Sequence, residues 1–225
     1  MKLKYFSHSA FQITTDKNAV ILIDPFLDGN PTSPVKSDDV NADYIILTHA
    51  HNDHIGDAFK IAKRCDSTFI CVDELANYCI ENGFKAHNMH IGGGYNFDFG
   101  RLKFTIAHHG SKTPDNQYAG NPAGVVLTID GKNLYHTGDT GLFYDMKLIG
   151  EMTQVDYLLL PIGDNYTMGI TDAVKAVELI NPKLTIPMHY NTFPVITADP
   201  EEFKKKVEGL GKKCRVLKFG EEITL

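Results

Sequence analysis

Five short apolar runs in this chain each lead to a residue that can hold a metal ion or move a proton. Val20–Ile23 ends at Asp24, Tyr44–Leu47 leads to His49, and Leu134-Tyr135 leads to His136 and Asp139. Tyr157–Leu160 leads to Asp164, and Leu184–Ile186 leads to His189. Runs this short, rich in aliphatic and β-branched residues, read as buried strands rather than helices. Core strands that present polar groups at their ends are how a rigid scaffold builds a single site.

The rest of the chain fits that frame. Residues 2 to 25 read as three strands, with Asp16-Lys17-Asn18 supplying turn residues. The segments 57 to 65 and 73 to 82 read as helices, with Gly83 as a stop. Strands are expected around 97 to 108, 124 to 130 and 133 to 136. Thr171 is expected to cap a helix that ends before Pro182. Asp199-Pro200-Glu201-Glu202 carries a capping carboxylate, Pro at the first helical position and acids in the first turn. Strands and helices alternate through both halves, which predicts one layered α/β (α+β) domain over residues 1–225. A chain of 225 residues buries a large core without disulfides. The four cysteines form no C-x-x-C pair and read as free thiols in a reducing compartment.

Composition removes several function classes. The formal net charge is -6 and no basic stripe is present, so nucleic acid is not an expected partner. Lys204-Lys205-Lys206 is diluted by Glu201, Glu202 and Glu208 and reads as a solvated helix face. Met1 to Ala10 contains no apolar signal region, and no run approaches the ~20 residues that span a bilayer. A cytoplasmic protein is expected, acting on a small molecule away from membranes and open to homo-oligomerisation. Gly92-Gly93-Gly94 lacks the Lys-Ser/Thr of a phosphate-binding loop. No G-x-S-x-G or other nucleophilic Ser or Cys signature occurs.

The densest chemistry is Thr48-His49-Ala50-His51-Asn52-Asp53-His54-Ile55-Gly56. His49 and His51, two apart, point the same way in extended backbone, and a turn lets Asp53 and His54 face an adjacent point. Imidazole and carboxylate together suit zinc and comparable transition metals. A merely polar loop would have no reason to concentrate four such donors behind a buried strand.

This segment resembles the H-x-H-x-D-H motif of the metallo-β-lactamase superfamily. Ala107-His108-His109-Gly110-Ser111, Tyr135-His136-Thr137-Gly138-Asp139-Thr140 and Pro187-Met188-His189-Tyr190 match its later segments in order. Leu22-Ile23-Asp24-Pro25-Phe26, Pro161-Ile162-Gly163-Asp164-Asn165, Thr167-Met168-Gly169 and Met188–Pro194 resemble the UPF0173 metal-dependent hydrolases in particular. The resemblance implies a four-layer αββα sandwich with the site along one edge. It implies one metal on His49, His51 and His109, a second on Asp53, His54 and His189, and Asp139 bridging both. Two divalent ions are implied, Zn2+ first, with Mn2+, Ni2+ or Fe2+ as alternatives. Such a pair can share a hydroxide formed at neutral pH and clamp both the attacking and leaving oxygens. Asp53 and Asp139 are the catalytic carboxylates in this reading.

Around them, Asp24 and His136 are candidates for orienting ligand histidines. His8 and Asn165, with Asp164 and Tyr166, are candidates for the substrate cleft. The third histidine is contested. Strand alternation through Leu102, Phe104 and Ile106 puts His108 on the core face. The turn signalled by Gly110, together with the resemblance, favours His109.

The expected activity is hydrolysis of a small phosphodiester, lactone or related ester. An RNA-processing nuclease, a redox protein and a non-catalytic metal binder are the competing classes. The short acidic chain argues against the first, His51 in place of glutamate against the second, and the complete ligand set against the third.

Overall fold

A computed structural model describes all residues, 1–225. The first sheet contains β1 (Lys2–Ser7), β2 (Ala10–Thr14), β3 (Val20–Ile23), β4 (Tyr44–Ile46), β5 (Thr68–Val72), β6 (Lys85–Met89) and β13 (Glu222–Thr224), in the order β13-β1-β2-β3-β4-β5-β6. The second contains β7 (Gly94–Phe97), β8 (Gly100–Ile106), β9 (Ala123–Ile129), β10 (Lys132–His136), β11 (Tyr157–Pro161) and β12 (Leu184–Met188), in the order β12-β11-β10-β9-β8-β7.

Each sheet has an antiparallel half and a parallel half, and the parallel pairs need crossovers. From β3 through β6 the pairing is parallel. There α1 (Asn52–Ile55), α2 (Ala58–Cys65) and α3 (Asp73–Glu81) make the returns. From β10 through β12 it is again parallel, with α4 (Met146–Thr153) and α5 (Ile170–Ile180) between strands. α6 (Pro200–Gly209) follows β12.

Strand alternation sorts side chains between layers. In β9, Val125, Leu127 and Ile129 join the core shared with the first sheet, whereas Val126 joins the apolar layer under α4, α5 and α6. In β11, Leu159 faces the first sheet while Leu158 and Leu160 pack toward those helices. The two sheets with helices outside them form the four-layer αββα sandwich of the metallo-β-lactamase type. Truncating a residue between the sheets, such as Leu127 or Ile186, to Ala would cost about 3 kcal/mol.

Three local expectations need correction. α5 is capped by Gly169, not Thr171, and no side chain caps it. Gly163 and Gly169 bridge antiparallel across the preceding loop, and that backbone pairing sets the helix start. The strand expected over 97 to 108 is a hairpin of β7 and β8 that stops at Ile106. Ile106 itself is 39% exposed, so the apolar alternation of Leu102 and Phe104 does not extend to it. Asp199 does cap α6, its carboxylate accepting from the Glu201 amide at 2.9 Å.

Candidate metal centre

Asp24, His49, Asp139 and His189, at or just after the ends of parallel strands of both sheets, meet in one place, whereas Asp164 after β11 is exposed and outside the cluster. Two contacts join the sheets at this point. The Ala123 amide donates to the Thr48 carbonyl at 2.9 Å, and the His189 amide donates to the His8 carbonyl at 2.8 Å. The backbone is strained at the same place. His8, Asp24, Asp164, Asn165, His189 and Asn191 all have positive φ between 47° and 61°. Non-glycine residues hold this conformation only where their surroundings over-determine it, and such positions cluster at functional sites. Gly138, at φ 64°, must be glycine, because a Cβ would lie 2.7 Å from the Ala123 carbonyl oxygen. It turns the chain just before Asp139.

Two groups of donors result. In the first, His49, His51 and His109 converge, with His49 Nε2 3.0 Å from His51 Nδ1. In the second, His8, Asp53, His54 and His189 converge. Asp139 lies between them. Its Oδ2 is 3.0 Å from His189 Nε2, 3.2 Å from His54 Nε2 and 3.7 Å from His109 Nε2. His109 is thus in the cluster. His108 is exposed and its ring stacks on Phe143 at 4.9 Å. The chain turns after Ile106, which removes the basis for extending strand alternation to the histidines.

A ring of partners fixes these side chains. Asp24 is fully buried; its Oδ1 accepts from the Thr48 amide at 2.9 Å and its Oδ2 from the Thr48 hydroxyl at 2.6 Å. The same Oδ2 lies 2.8 Å from His54 Nδ1, and Thr48 Oγ1 lies 3.0 Å from His49 Nδ1. The Thr48 hydroxyl donates its hydrogen bond to Asp24, so its oxygen accepts from His49 Nδ1–H. Asp24 therefore sets the tautomer of His54 directly and that of His49 through Thr48, leaving both Nε2 atoms as acceptors in the neutral rings.

His8 is buried between Asp53 Oδ2 at 3.1 Å and Thr192 Oγ1 at 2.9 Å. His136 points elsewhere: its Nε2 meets the Ser9 carbonyl at 3.2 Å and its Nδ1 accepts from the Gly138 amide at 3.0 Å. It braces the turn that carries Asp139. Asn165 is exposed and does not line the cleft; its neighbour Tyr166 does.

Charge follows this geometry. Burial lowers the pKa of His49, His51 and His109, which keeps their lone pairs free. Burial also dominates at His8, pushed down to about 4 with help from His189 and against Asp53. At His54 burial pulls the same way, but Asp139, Asp24 and Asp53 outweigh it and hold the imidazolium well above the ordinary value. Asp139 stays ionised despite its burial because His189 and His54 flank it. Asp53 is lowered too, with His54 and His8 overcoming its own burial.

The donor set fits a metal ion. His54 Nε2, His189 Nε2 and Asp139 Oδ1 are buried without a hydrogen-bond partner, although the histidines stand close to the other carboxylate oxygen. An unpaired buried polar atom costs about 1–3 kcal/mol, and several at one point call for a cation. Imidazole and carboxylate are the donors that zinc, manganese, nickel and iron accept.

Of the wall opposite the ligands, Tyr166 was expected from the sequence, whereas Phe193 and Val195 were not. A cleft of about 380 Å³ opens on His51, Asp53, His109, Asp139 and His189, and Tyr166, Phe193 and Val195 complete its lining. Thr48 and Thr192, which orient histidines, were also unmarked. A hydroxyl next to the first motif histidine was the available signal for Thr48.

The Beta-lactamase superfamily domain model matches residues 20–190. A UPF0173 metal-dependent hydrolase of Carboxydothermus hydrogenoformans is 50% identical over the full length of both chains. Another, of Anoxybacillus flavithermus, is 49% identical, again over both full lengths. Among solved structures, Igni18, a metallo hydrolase of the archaeon Ignicoccus hospitalis, superimposes with a TM-score of 0.92 at 42% identity, covering 100% of this chain and 97% of that one. With the sandwich, the gathered strand ends and these relatives in agreement, the chain belongs to the UPF0173 metal-dependent hydrolases of the β-lactamase superfamily.

Proposed function

We propose that the chain hydrolyses a small ester-type substrate, a phosphodiester, lactone or related ester, with two divalent cations. His49, His51 and His109 would hold one, Asp53, His54 and His189 the other, and Asp139 both. When bound, the pair supplies an acidified water as nucleophile and polarises the ester oxygen. The observation that supports this most is the position of Asp139, ionised between two histidine groups with one oxygen turned to them and the other unpartnered.

The chain's own residues prepare the site. Asp24 holds His54 and, through Thr48, His49 with Nε2 toward the centre. His8 fixes Asp53. His136 braces the Gly138 turn and so the height of Asp139. The aromatic wall at Tyr166 and Phe193 excludes water on one side. Net charge -6 and a cleft with no cationic side chain in its lining leave a polynucleotide backbone little to bind.

The test is an activity screen on protein loaded separately with zinc, manganese and nickel, against phosphodiesters, lactones and thioesters. Turnover on at least one class, abolished in Asp139→Ala, is expected. Rates no higher than those of Asp139→Ala on every class would overturn the proposal.

A further inference from the structure

The cleft has two unlike walls. One is the donor cluster; the other is Tyr166, Phe193 and Val195. Tyr166 is 57% exposed and Val195 56% exposed, large apolar surfaces left bare beside a polar site. Neither is there by loose packing. Tyr166 sits at the tip of a short loop closed by the Gly163–Gly169 bridge, and the Met168 amide ties that loop to the Thr140 carbonyl, next to Asp139. Asp164 and Asn165, both left-handed, aim the tip. Phe193 is wedged against His8, ring centroids 5.6 Å apart, and against Phe26 at 6.3 Å. The strain at Asp164 and Asn165 holds an aromatic ring over the cleft, a position where solvent would otherwise favour a polar tip.

The same lining contains no lysine or arginine. Lys112, whose charge acts on His51, is outside the lining and hydrogen-bonds Asn116 at 3.0 Å. A substrate carrying a second anionic group would find no counter-charge once its reacting group met the cations. An apolar group would find a rigid surface.

Resting on the proposed ester hydrolysis, we propose that the substrate is a carboxylic ester or lactone with an uncharged apolar acyl portion seated against Tyr166, Phe193 and Val195. In the reaction, water adds to the acyl carbon, the bond from that carbon to the alkoxy oxygen breaks, and the alcohol leaves with a proton, giving the carboxylic acid. At about 30 Å³ per water-sized group, the cleft admits roughly a dozen such groups, which suits a medium-length acyl chain or an aryl acid.

The experiment uses zinc-loaded protein and p-nitrophenyl acetate, butyrate, hexanoate and hemisuccinate, with binding of acetate, hexanoate and succinate measured by calorimetry. A fully buried methylene is worth about fourfold. With half of the added chain in contact, kcat/KM should rise at least about tenfold from acetate to hexanoate, and the hemisuccinate should fall below the butyrate. Carboxylate affinity should climb in parallel. Tyr166→Ser and Val195→Asp, both at exposed positions, should flatten both series. A flat series in the wild type, or preference for the succinyl compounds, overturns the inference even if esters are cleaved. Affinity that rises with chain length while no ester is cleaved upholds the apolar wall and instead removes the ester reading.

Discussion

The two groups of ligands on either side of Asp139 differ in composition and charge, although each has a firmly tied, buried histidine, His49 through Thr48 and His54 on Asp24, and His189 has no hydrogen-bond partner at either ring nitrogen. His51 and His109 are half-buried and lie at the mouth of the cleft, and no hydrogen bond to a neighbouring acid or hydroxyl orients His109. His54 and His189 are buried, and Asp53 beside them is held by His8. In the outer group burial lowers the pKa of His109. In the inner group the carboxylates of Asp139, Asp24 and Asp53 overcome burial and raise that of His54, and Asp53 is held low by His54 and His8. If Asp139 serves both groups as proposed, the two sites would be unlike: the inner one would be rich in carboxylate, and the outer one would be all imidazole apart from Asp139 and more open to chelators.

The strongest way to break this contrast is to remove what the groups share. Asp139→Ala should release both cations and lower turnover by about a thousandfold or more, the scale of losing a positioned electrostatic group. Elemental analysis and kinetics on the folded variant check this, and a variant within tenfold of wild type would deny the shared role. Asp24→Asn comes next. Because Asp24 orients His54 directly and His49 through Thr48, it should weaken both sites by about 10–100-fold. Competition with a chromophoric chelator reads both affinities; weakening of the inner site alone would show that the Thr48 relay is silent.

Acid separates the groups by sign. His8, His49, His51, His109 and His136 have folded pKa values below the unfolded 6.5. Their contribution is complete above about pH 6.5 and is lost as pH falls toward their folded values, about 4 for His8. His54 runs the other way: its contribution is present at low pH and fades as pH rises through its elevated value. Asp53 and Asp139 add further loss as pH drops below the unfolded value of 3.8. Cation-free protein should therefore melt at least about 5 °C lower at pH 5 than at pH 7, by calorimetry. A melting point that rises on acidification would mean that His54 outweighs the rest. The smallest effect is expected at the histidine pair after β8. His108→Phe should keep full metal content and activity within a few-fold, while His109→Phe loses one cation.

Much of this was legible beforehand. Apolar runs with polar ends gave the strands that carry Asp24, His49, Asp139 and His189. The Pro200 helix start followed from capping chemistry, and the spacing in His49–His54 marked the cluster. What stayed hidden depends on tertiary contacts. β5 and β6 were not among the expected strands: Lys85–Met89 alternates weakly and is held by pairing to Thr68–Val72, whose own apolar run was a signal left unread. β13 is three residues long, defined only by its register with β1. Thr171 looked like a cap because no local rule foretells the Gly163–Gly169 bridge. Phe193 and Val195 were missed for a similar reason: they lie far from Tyr166 in the chain, and only the tertiary fold brings the three over the ligands.

Whether two unlike cation sites flank Asp139 is decided by metal stoichiometry. Elemental analysis after saturation and desalting should give two zinc ions per chain in the wild type and one in both His109→Ala and His189→Ala. Chelator should strip the single ion from His189→Ala faster than from His109→Ala, because only the outer site remains in the former. A wild-type value of one that His189→Ala leaves unchanged would contradict the account.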